Sequence, residues 1–408
     1  MPVQPVDNPA AFLNDLTTFN LSGETEYSEL LLPDGLSVPV FINEFWTNKQ
    51  RQADRMHEIS YRACFKPQLP RFFIERFTVE GDVVFDPFLG RGTTIIEAAL
   101  LGRRGWGTDV NPLSRILVLP RLHPPSLDSV EARLADWDMK YTDTLPQDLL
   151  VFFHHNTLGQ ICWMRDYFKM RLDSGKLDEV DLWIQMIATN RLTGHSPGFF
   201  SVYTMPPNQA VSLASQKKIN LNRNQTAPER DVRKLILKKS KALLLKSAMI
   251  LNGNRLDYFV AVESANNLKT VKDDSVSLVV TSPPFLDVVD YKGDNWLRCW
   301  FNQIDPESVA IWRYRSLDDW SAAMTACLKE LHRVLKPGGW VAFEVGEVRK
   351  GSVSLEESVA ICGRAAGLCP EAILINAQDF TKTAHCWGVN NQSKGTNTNR
   401  IVCFRKES

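Results

Sequence analysis

Two short stretches carry residue types that could do chemistry. The first is "VVTSPPF", Val279 to Phe285, where an apolar run ends in two prolines. Each proline fixes φ and lacks an N–H, so neither a strand nor a regular helix continues through the pair. A rigid turn of this kind holds its carbonyl oxygens in fixed directions. Ser282 adds a second acceptor and Phe285 a flat apolar face. That set suits a planar base with an exocyclic amine, through acceptors for its N–H groups and a ring to stack on. Hydrogen bonds to fixed acceptors favour a more tetrahedral nitrogen, able to attack an electrophilic methyl group. Taken alone, Pro283-Pro284 reads equally as a stopped strand followed by a core Phe.

The second stretch is "DPFLGRGTT", Asp86 to Thr94. It lies between an apolar run and a helical pattern. Glycines there let the backbone approach a ligand, and a helix N-terminus offers unpaired N–H groups. The spacing matches neither a dinucleotide G-x-G-x-x-G nor a phosphate loop ending in Gly-Lys-Ser/Thr. A small-molecule turn opened by a carboxylate remains. About twenty residues on, Asp109 ends the next apolar run, the usual place for an acid that holds ribose hydroxyls. The alternative is a tight turn with a solvated aspartate.

The elements that must position these residues follow from the hydrophobic pattern. "RFFIERFT" reads as a helix, "GDVVFDPF" as a buried strand, "TTIIEAALLG" as a helix stopped by Gly102, and "RGWGTDVNP" as a second strand. This β-α-β order predicts a parallel sheet. Alternation lapses over residues 125–260, where helical patterns such as "LGQICWMRDYFKMRL" and "VRKLILKKSKALLLK" dominate. It resumes with "SVSLVVTS", the helix "LDDWSAAMTACLKELHRVL", the strand "KPGGWVAFEVG", a further helix and a last strand, "NRIVCFRK".

Bulk properties narrow the class. A chain of 408 residues with 44% apolar and 23% charged residues is an ordinary globular composition, large enough for one big domain with an insertion or for two. Formal net charge is +0, so a nucleic-acid surface must come from local clustering. Such a cluster exists between Gln216 and Lys246. Ten basic residues (Lys217, Lys218, Arg223, Arg230, Arg233, Lys234, Lys238, Lys239, Lys241, Lys246) face two acidic ones there, a local charge of +8. It reads as a phosphate-tracking surface or as a solvated helix face. Nearby, His195, Asn208 and Gln209 are candidates for base-edge contacts. The eight scattered cysteines form no C-x-x-C pair, and His154-His155 has no Cys or acid at metal spacing, so no metal site is expected. No run approaches the roughly 18 apolar residues of a membrane span, and no signal peptide is visible, so a cytoplasmic protein is expected.

With these motifs together, the chain resembles the S-adenosylmethionine-dependent amino-methyltransferases of DNA. "DPFLGRGTT" is similar to their cofactor motif and "TSPPF" to their catalytic motif. "FKPQLPRFF", "GTDVNP", "ELHRVLKPGGWVAFEVG" and "KGTNTNRIVCFRK" resemble further family segments. The likeness covers roughly residues 57–120 and 262–405 and leaves the middle unexplained. It implies a mixed, mainly parallel seven-stranded α/β sheet with helices on both faces, plus a largely helical insertion. Residues 1–50 are then an N-terminal arm or small lid, 51–124 the cofactor half, 125–260 an inserted target-recognition domain and 261–408 the catalytic half.

Carried over residue by residue, the resemblance places Asp86, Pro87, Phe88, Gly90, Gly92 and Thr93 on the cofactor's methionine side. Asp109 falls on its ribose, with Lys66 and Pro67 over it. Ser282, Pro283, Pro284 and Phe285 hold the target amine, and "DYKGDNWLRCW" forms a loop closing on the flipped base with Tyr291 reaching in. Ser264 stands where family members often carry an Asp that contacts the adenine amino group, so this contact departs from the pattern. Lys217, Lys218, Arg223, Arg233, Lys238, Lys239 and Lys241 would bind DNA. A serine opening the catalytic motif is typical of the cytosine-N4 branch. Adenine-N6 or an RNA guanine amine are the other substrates, and a non-catalytic nucleic-acid-binding protein on the same fold is the alternative class. Cytosine-C5 chemistry is excluded, because it needs a Pro-Cys nucleophile and the chain has no such dipeptide. The implied partners are double-stranded DNA and a restriction endonuclease acting on the same site.

Overall fold

The computed structural model describes residues 5–6, 8–20, 23–46, 54–61, 64–141, 143–205, 210–244, 251, 256–284, 290–346, 355–377 and 399–407. A nine-stranded mixed sheet organises them. From one edge to the other run β1 (Glu26–Leu31), β2 (Ser37–Asn43), β8 (Cys369–Asn376), β9 (Asn399–Arg405), β7 (Leu335–Val345), β6 (Val276–Thr281), β3 (Val83–Asp86), β4 (Arg104–Asp109) and β5 (Phe259–Val262). β9 is antiparallel to both neighbours and β1 to β2, while the other pairs are parallel.

The central strands show why the sequence reads as continuous apolar runs. Strand β3 is buried at all four positions. Its residues point alternately to the two faces, as the pleat requires. Val83 and Phe85 join one core with Val276, Val279, Phe343 and helices α11 (Leu317–Val334) and α12 (Leu355–Ala365). Val84 joins the other with Leu278, Val280, Trp340 and helices α1 (Pro9–Thr17) and α2 (Gln68–Phe77). Phe77 stacks on Trp340 there with ring centroids 4.2 Å apart.

The expected mixed sheet with helices on both faces is present, but the expected strand number of seven is corrected to nine. The extra two, β1 and β2, come from the segment read as an arm or lid. Strand β2 joins the sheet by pairing with β8 from Val40 opposite Ile373 onward. Pro39 lies just before that ladder, so its missing N–H breaks no bond to β8.

Residues between β4 and β5 form α4 (Pro112–Leu122), α5 (Leu127–Asp136), α6 (His155–Asp173), α7 (Glu179–Arg191), α8 (Leu213–Asn222) and α9 (Val232–Leu244). His154 caps α6 by accepting the Asn156 N–H. A single apolar cluster runs from α3 (Thr93–Leu100) and α4 through these helices to Leu297 and Phe301 of α10 (Tyr291–Phe301). The helical insertion therefore shares a core with the α/β part. No helix among the described residues is long and apolar enough to cross a membrane.

Candidate functional site

Strands β3 and β4 are parallel neighbours, so the acids that end them, Asp86 and Asp109, reach the same sheet edge. Asp86 is buried. Its Oδ1 accepts hydrogen bonds from Thr281 Oγ1 at 2.6 Å and the Phe88 N–H at 3.0 Å. Burial outweighs those bonds and pushes its pKa up to about 7. Asp109 receives the Gly90 N–H on Oδ2 and the Asn111 N–H on Oδ1, both at 2.8 Å, and burial raises its pKa too. The Gly90 bond ties the glycine turn to the acid of the next strand.

The turn needs its glycines. Gly90 and Gly92 have φ of +50° and +76°, conformations that L side chains rarely adopt. A Cβ on Gly92 would also sit 2.6 Å from a Val118 methyl. Above the turn lies a solvent-open cleft of about 620 Å³. Pro87, Phe88, Gly90, Asp109, Ser264 and Ser282 line it, as do Tyr61, Ile311 and Trp312. A smaller adjoining recess of about 310 Å³ is lined by Asp86, Thr93, Cys64 and Phe65 and shares Tyr61, Phe88, Gly90 and Ser282. One elongated groove thus runs from Thr93 to Ser264.

Most residues assigned to the cofactor converge on this groove. Gly92 supports it from below as the residue before α3. Lys66 and Pro67 do not line it. They precede α2, directly after Phe65, and burial lowers the pKa of Lys66. Sequence reasoning missed Tyr61, Ile311 and Trp312. The Trp312 ring meets Phe88 edge-on at 5.5 Å and forms an apolar wall at the Asp109 end. No periodicity or motif marks the stretch that holds it.

The second motif reaches the groove from β6, next to β3. The Ser282 side chain lies beside the carboxylate of Glu344, near the end of the neighbouring strand β7, and favours its charged form. Glu344 is 6% exposed and accepts the Asn399 Nδ2–H on Oε1 at 2.6 Å. Burial raises its pKa although Ser282 and Asn399 act in the opposite direction. A serine hydroxyl that turns its proton toward this carboxylate keeps the lone pairs of its oxygen for another donor. Pro283 is buried, and the Pro284 carbonyl accepts the Trp320 Nε1–H at 3.0 Å, which fixes the turn. That carbonyl is therefore engaged by the protein. Phe285 lies outside the described residues.

The segment read as a closing loop, "DYKGDNWLRCW", is instead helix α10. Asp290 caps it by accepting the Gly293 N–H at 3.1 Å. Helical spacing of Trp296, Leu297 and Phe301 against the insertion core outweighs Asp290, Gly293 and Asp294 at its start.

The basic run divides between two helices. Lys217 and Lys218 on α8 are exposed, and Arg223 just after it lies over the Tyr203 ring at 3.8 Å. On α9, Lys238 and Lys241 are exposed, while Arg233 donates to the Trp137 carbonyl. Lys239 departs from the expectation: it turns inward and pairs with Glu58 at 2.7 Å. His195 is exposed, whereas Asn208, Gln209 and Lys246 lie outside the described residues. Among the described residues, no group of three His, Cys, Asp or Glu could hold a metal ion.

Comparison with known proteins bears on this groove. A sequence model of the N6/N4-type family described as DNA methylase matches residues 36–114, which include the Asp86 turn and Asp109. The Type II methyltransferase M.BsoBI of Geobacillus stearothermophilus is 22% identical over 291 residues, 62% of this chain and 53% of that protein. The Type II methyltransferase M.MvaI of Kocuria varians is 25% identical over 268 residues, 59% of this chain and 55% of that one. The chain spans about half the length of these curated relatives. Among solved structures, the rRNA methyltransferase aviRa of Streptomyces viridochromogenes aligns with a TM-score of 0.31 at 11% identity, over 89% of this chain and 92% of that one, too distant to carry an argument.

Proposed function

We propose that this member of the DNA amino-methyltransferase family transfers a methyl group from S-adenosylmethionine to the N4 amine of cytosine in double-stranded DNA. The observation that carries the reading is that Ser282, with the buried Glu344 carboxylate beside it, lines the same groove as Asp109.

The groove fits the cofactor's chemistry part by part. Asp109 keeps lone pairs for ribose hydroxyls beyond the two backbone bonds it accepts. Phe88, Ile311 and Trp312 give an apolar wall for a purine, with Ser264 at its edge. The Gly90 turn and Thr93 leave room for the amino-acid end. When bound there, S-adenosylmethionine supplies an electrophilic methyl on a sulfonium.

The target base must leave the duplex to present its amine to Ser282. Its amine then donates to Ser282 Oγ and to the carbonyl of Pro283, since the Pro284 carbonyl is held by Trp320. As the nitrogen takes the methyl it sheds a proton. Ser282 receives that proton while passing its own to Glu344, whose raised pKa makes it a ready acceptor. Ser282 in place of an Asp favours cytosine over adenine. Exposed Lys217, Lys218, Lys238 and Lys241 track phosphates. A restriction endonuclease reading the same site is the partner such an activity would protect against.

The test is expression in a host whose DNA lacks N4-methylcytosine, followed by digestion to nucleosides and mass spectrometry. N4-methyldeoxycytidine is expected. N6-methyldeoxyadenosine would move the target to adenine, and unmodified DNA beside measurable cofactor binding would favour the non-catalytic class.

A further inference from the structure

Residues 54–61 form a strap over the glycine turn, and its backbone is held in an unusual way. Apart from the short 3-10 turn Arg55–His57, it has no helix or strand to satisfy its carbonyls. Buried carbonyls need donors. Three buried arginines supply them. Arg121 Nη1 donates to the Met56 carbonyl at 2.8 Å. Arg91, between the two glycines of the cofactor turn, reaches the carbonyls of His57 at 3.3 Å and Ile59 at 3.0 Å through Nη1. Arg298 Nη2 donates to the Ser60 carbonyl at 2.8 Å.

Tyr61 of this strap is 8% exposed and lines both parts of the groove. Its ring edge is 3.6 Å from where a Cβ on Gly90 would lie, so it packs against the turn itself. Arg91 and Arg121 belong to the cofactor half. Arg298 does not: it lies on α10, the helix after the catalytic turn, and its other arm reaches Asn295 Oδ1 at 3.0 Å. Helix α10 is in turn tied to the insertion, since its Asp294 carbonyl accepts the Ala210 N–H at 3.1 Å and Trp296 Nε1–H donates to the Val211 carbonyl at 3.3 Å.

We propose that Arg298 is a positioning residue for the cofactor site, holding the Ser60 carbonyl from the catalytic side so that the Tyr61 ring closes the groove over the Gly90 turn. The two bonds of its planar fork fix strap and helix at one distance, which a single ammonium would not reproduce. The inference rests on the reading of the groove as the S-adenosylmethionine site. It adds that cofactor affinity depends on a residue outside the cofactor half, acting through Tyr61.

A double-mutant cycle with Arg298→Met and Tyr61→Ala tests it. Calorimetry with S-adenosylhomocysteine reads affinity, and single turnover at saturating cofactor reads chemistry. Arg298→Met is expected to weaken binding about tenfold, the scale of one charge-assisted hydrogen bond, with the saturated rate held within about twofold. In the Tyr61→Ala background the same change should weaken binding no further. Arg298→Lys should recover part of the loss, and if Arg298→Met does not fold, the cycle run with Arg298→Lys decides on a smaller scale. Unchanged affinity, or additive losses, would overturn the proposal while leaving the cofactor assignment intact. No binding by the parent chain would overturn both.

Discussion

At the scale of single residues, Glu344 ties the chemistry to pH. Burial disfavours its charged form, so its pKa in the folded protein lies above the ordinary glutamate range. Two opposite trends follow. A carboxyl raised on folding contributes stability that is complete below its unfolded pKa and is lost as pH rises through its folded value. In the proposed mechanism activity runs the other way, because only the ionised carboxylate takes the proton relayed by Ser282. The methylation rate should fall in acid around a pH higher than a free glutamate would give. Glu344→Gln is expected to lower the single-turnover rate about a hundredfold and to abolish that acid limb. It should also flatten the loss of stability with rising pH seen in urea unfolding. An acid limb that persists in the Gln variant would take Glu344 out of the proton path. Residues such as Asp86, Gly90, Asp109 and Ser282 were readable because each motif packs its chemistry into a few consecutive positions at a strand end. Tyr61 and Trp312 were not, because they line the groove from separate elements, nor was Glu344, which lies beside Ser282 outside that lining; nothing local distinguishes the three from core residues.

Secondary-structure elements decide which basic residues are exposed. On α9, Val232, Ile236, Ser240 and Leu243 face the core, and Lys234, Lys238 and Lys241 share the opposite, exposed side. The 3.6-residue period made this helix legible in the sequence. It did not reveal that Lys239 turns inward, since a lysine's long apolar stem can lie along a packed surface in either direction. Paired with Glu58, Lys239 has its charge already met. Replacing Lys238 and Lys241 by Gln should therefore weaken binding to all sequences alike and reduce the slope of log affinity against log salt by up to about two. Lys239→Gln should leave the slope nearly unchanged. Titrations at several salt concentrations separate the cases, and equal slopes for the parent and the Lys238/Lys241 variant would mark that side of α9 as merely solvated. Helix α10 illustrates the converse error. Its place after the catalytic turn suggested a closing loop, yet Asp290 serves as a cap, and the apolar side of the helix is fixed by the insertion core.

Across the whole molecule, the sheet extends beyond the strands implied by the two motifs, and the N-terminal segment is part of it. Strand β1 was unreadable because it lies at an edge with nearly every side chain exposed, leaving no alternation to detect. Strand β2 alternates in burial only as far as Val40, since Val40 and Phe41 are both buried, and Pro39 within it argues against a strand. Its Phe41 is 2% exposed and belongs to the same core as Phe12, Phe72, Phe73, Trp46 and Leu374. An arm or lid resting on the surface would lose little if that ring were removed. A strand built into the core would leave a cavity, with a cost of about 3–5 kcal/mol for Phe to Ala. Phe41→Ala is therefore expected to lower the urea midpoint strongly while unfolding remains a single cooperative transition. The cofactor groove lies several strands away, at β3, β4 and β6, so cofactor affinity should be unchanged wherever the variant is folded. A midpoint equal to the parent's would return residues 1–50 to the status of a detachable arm.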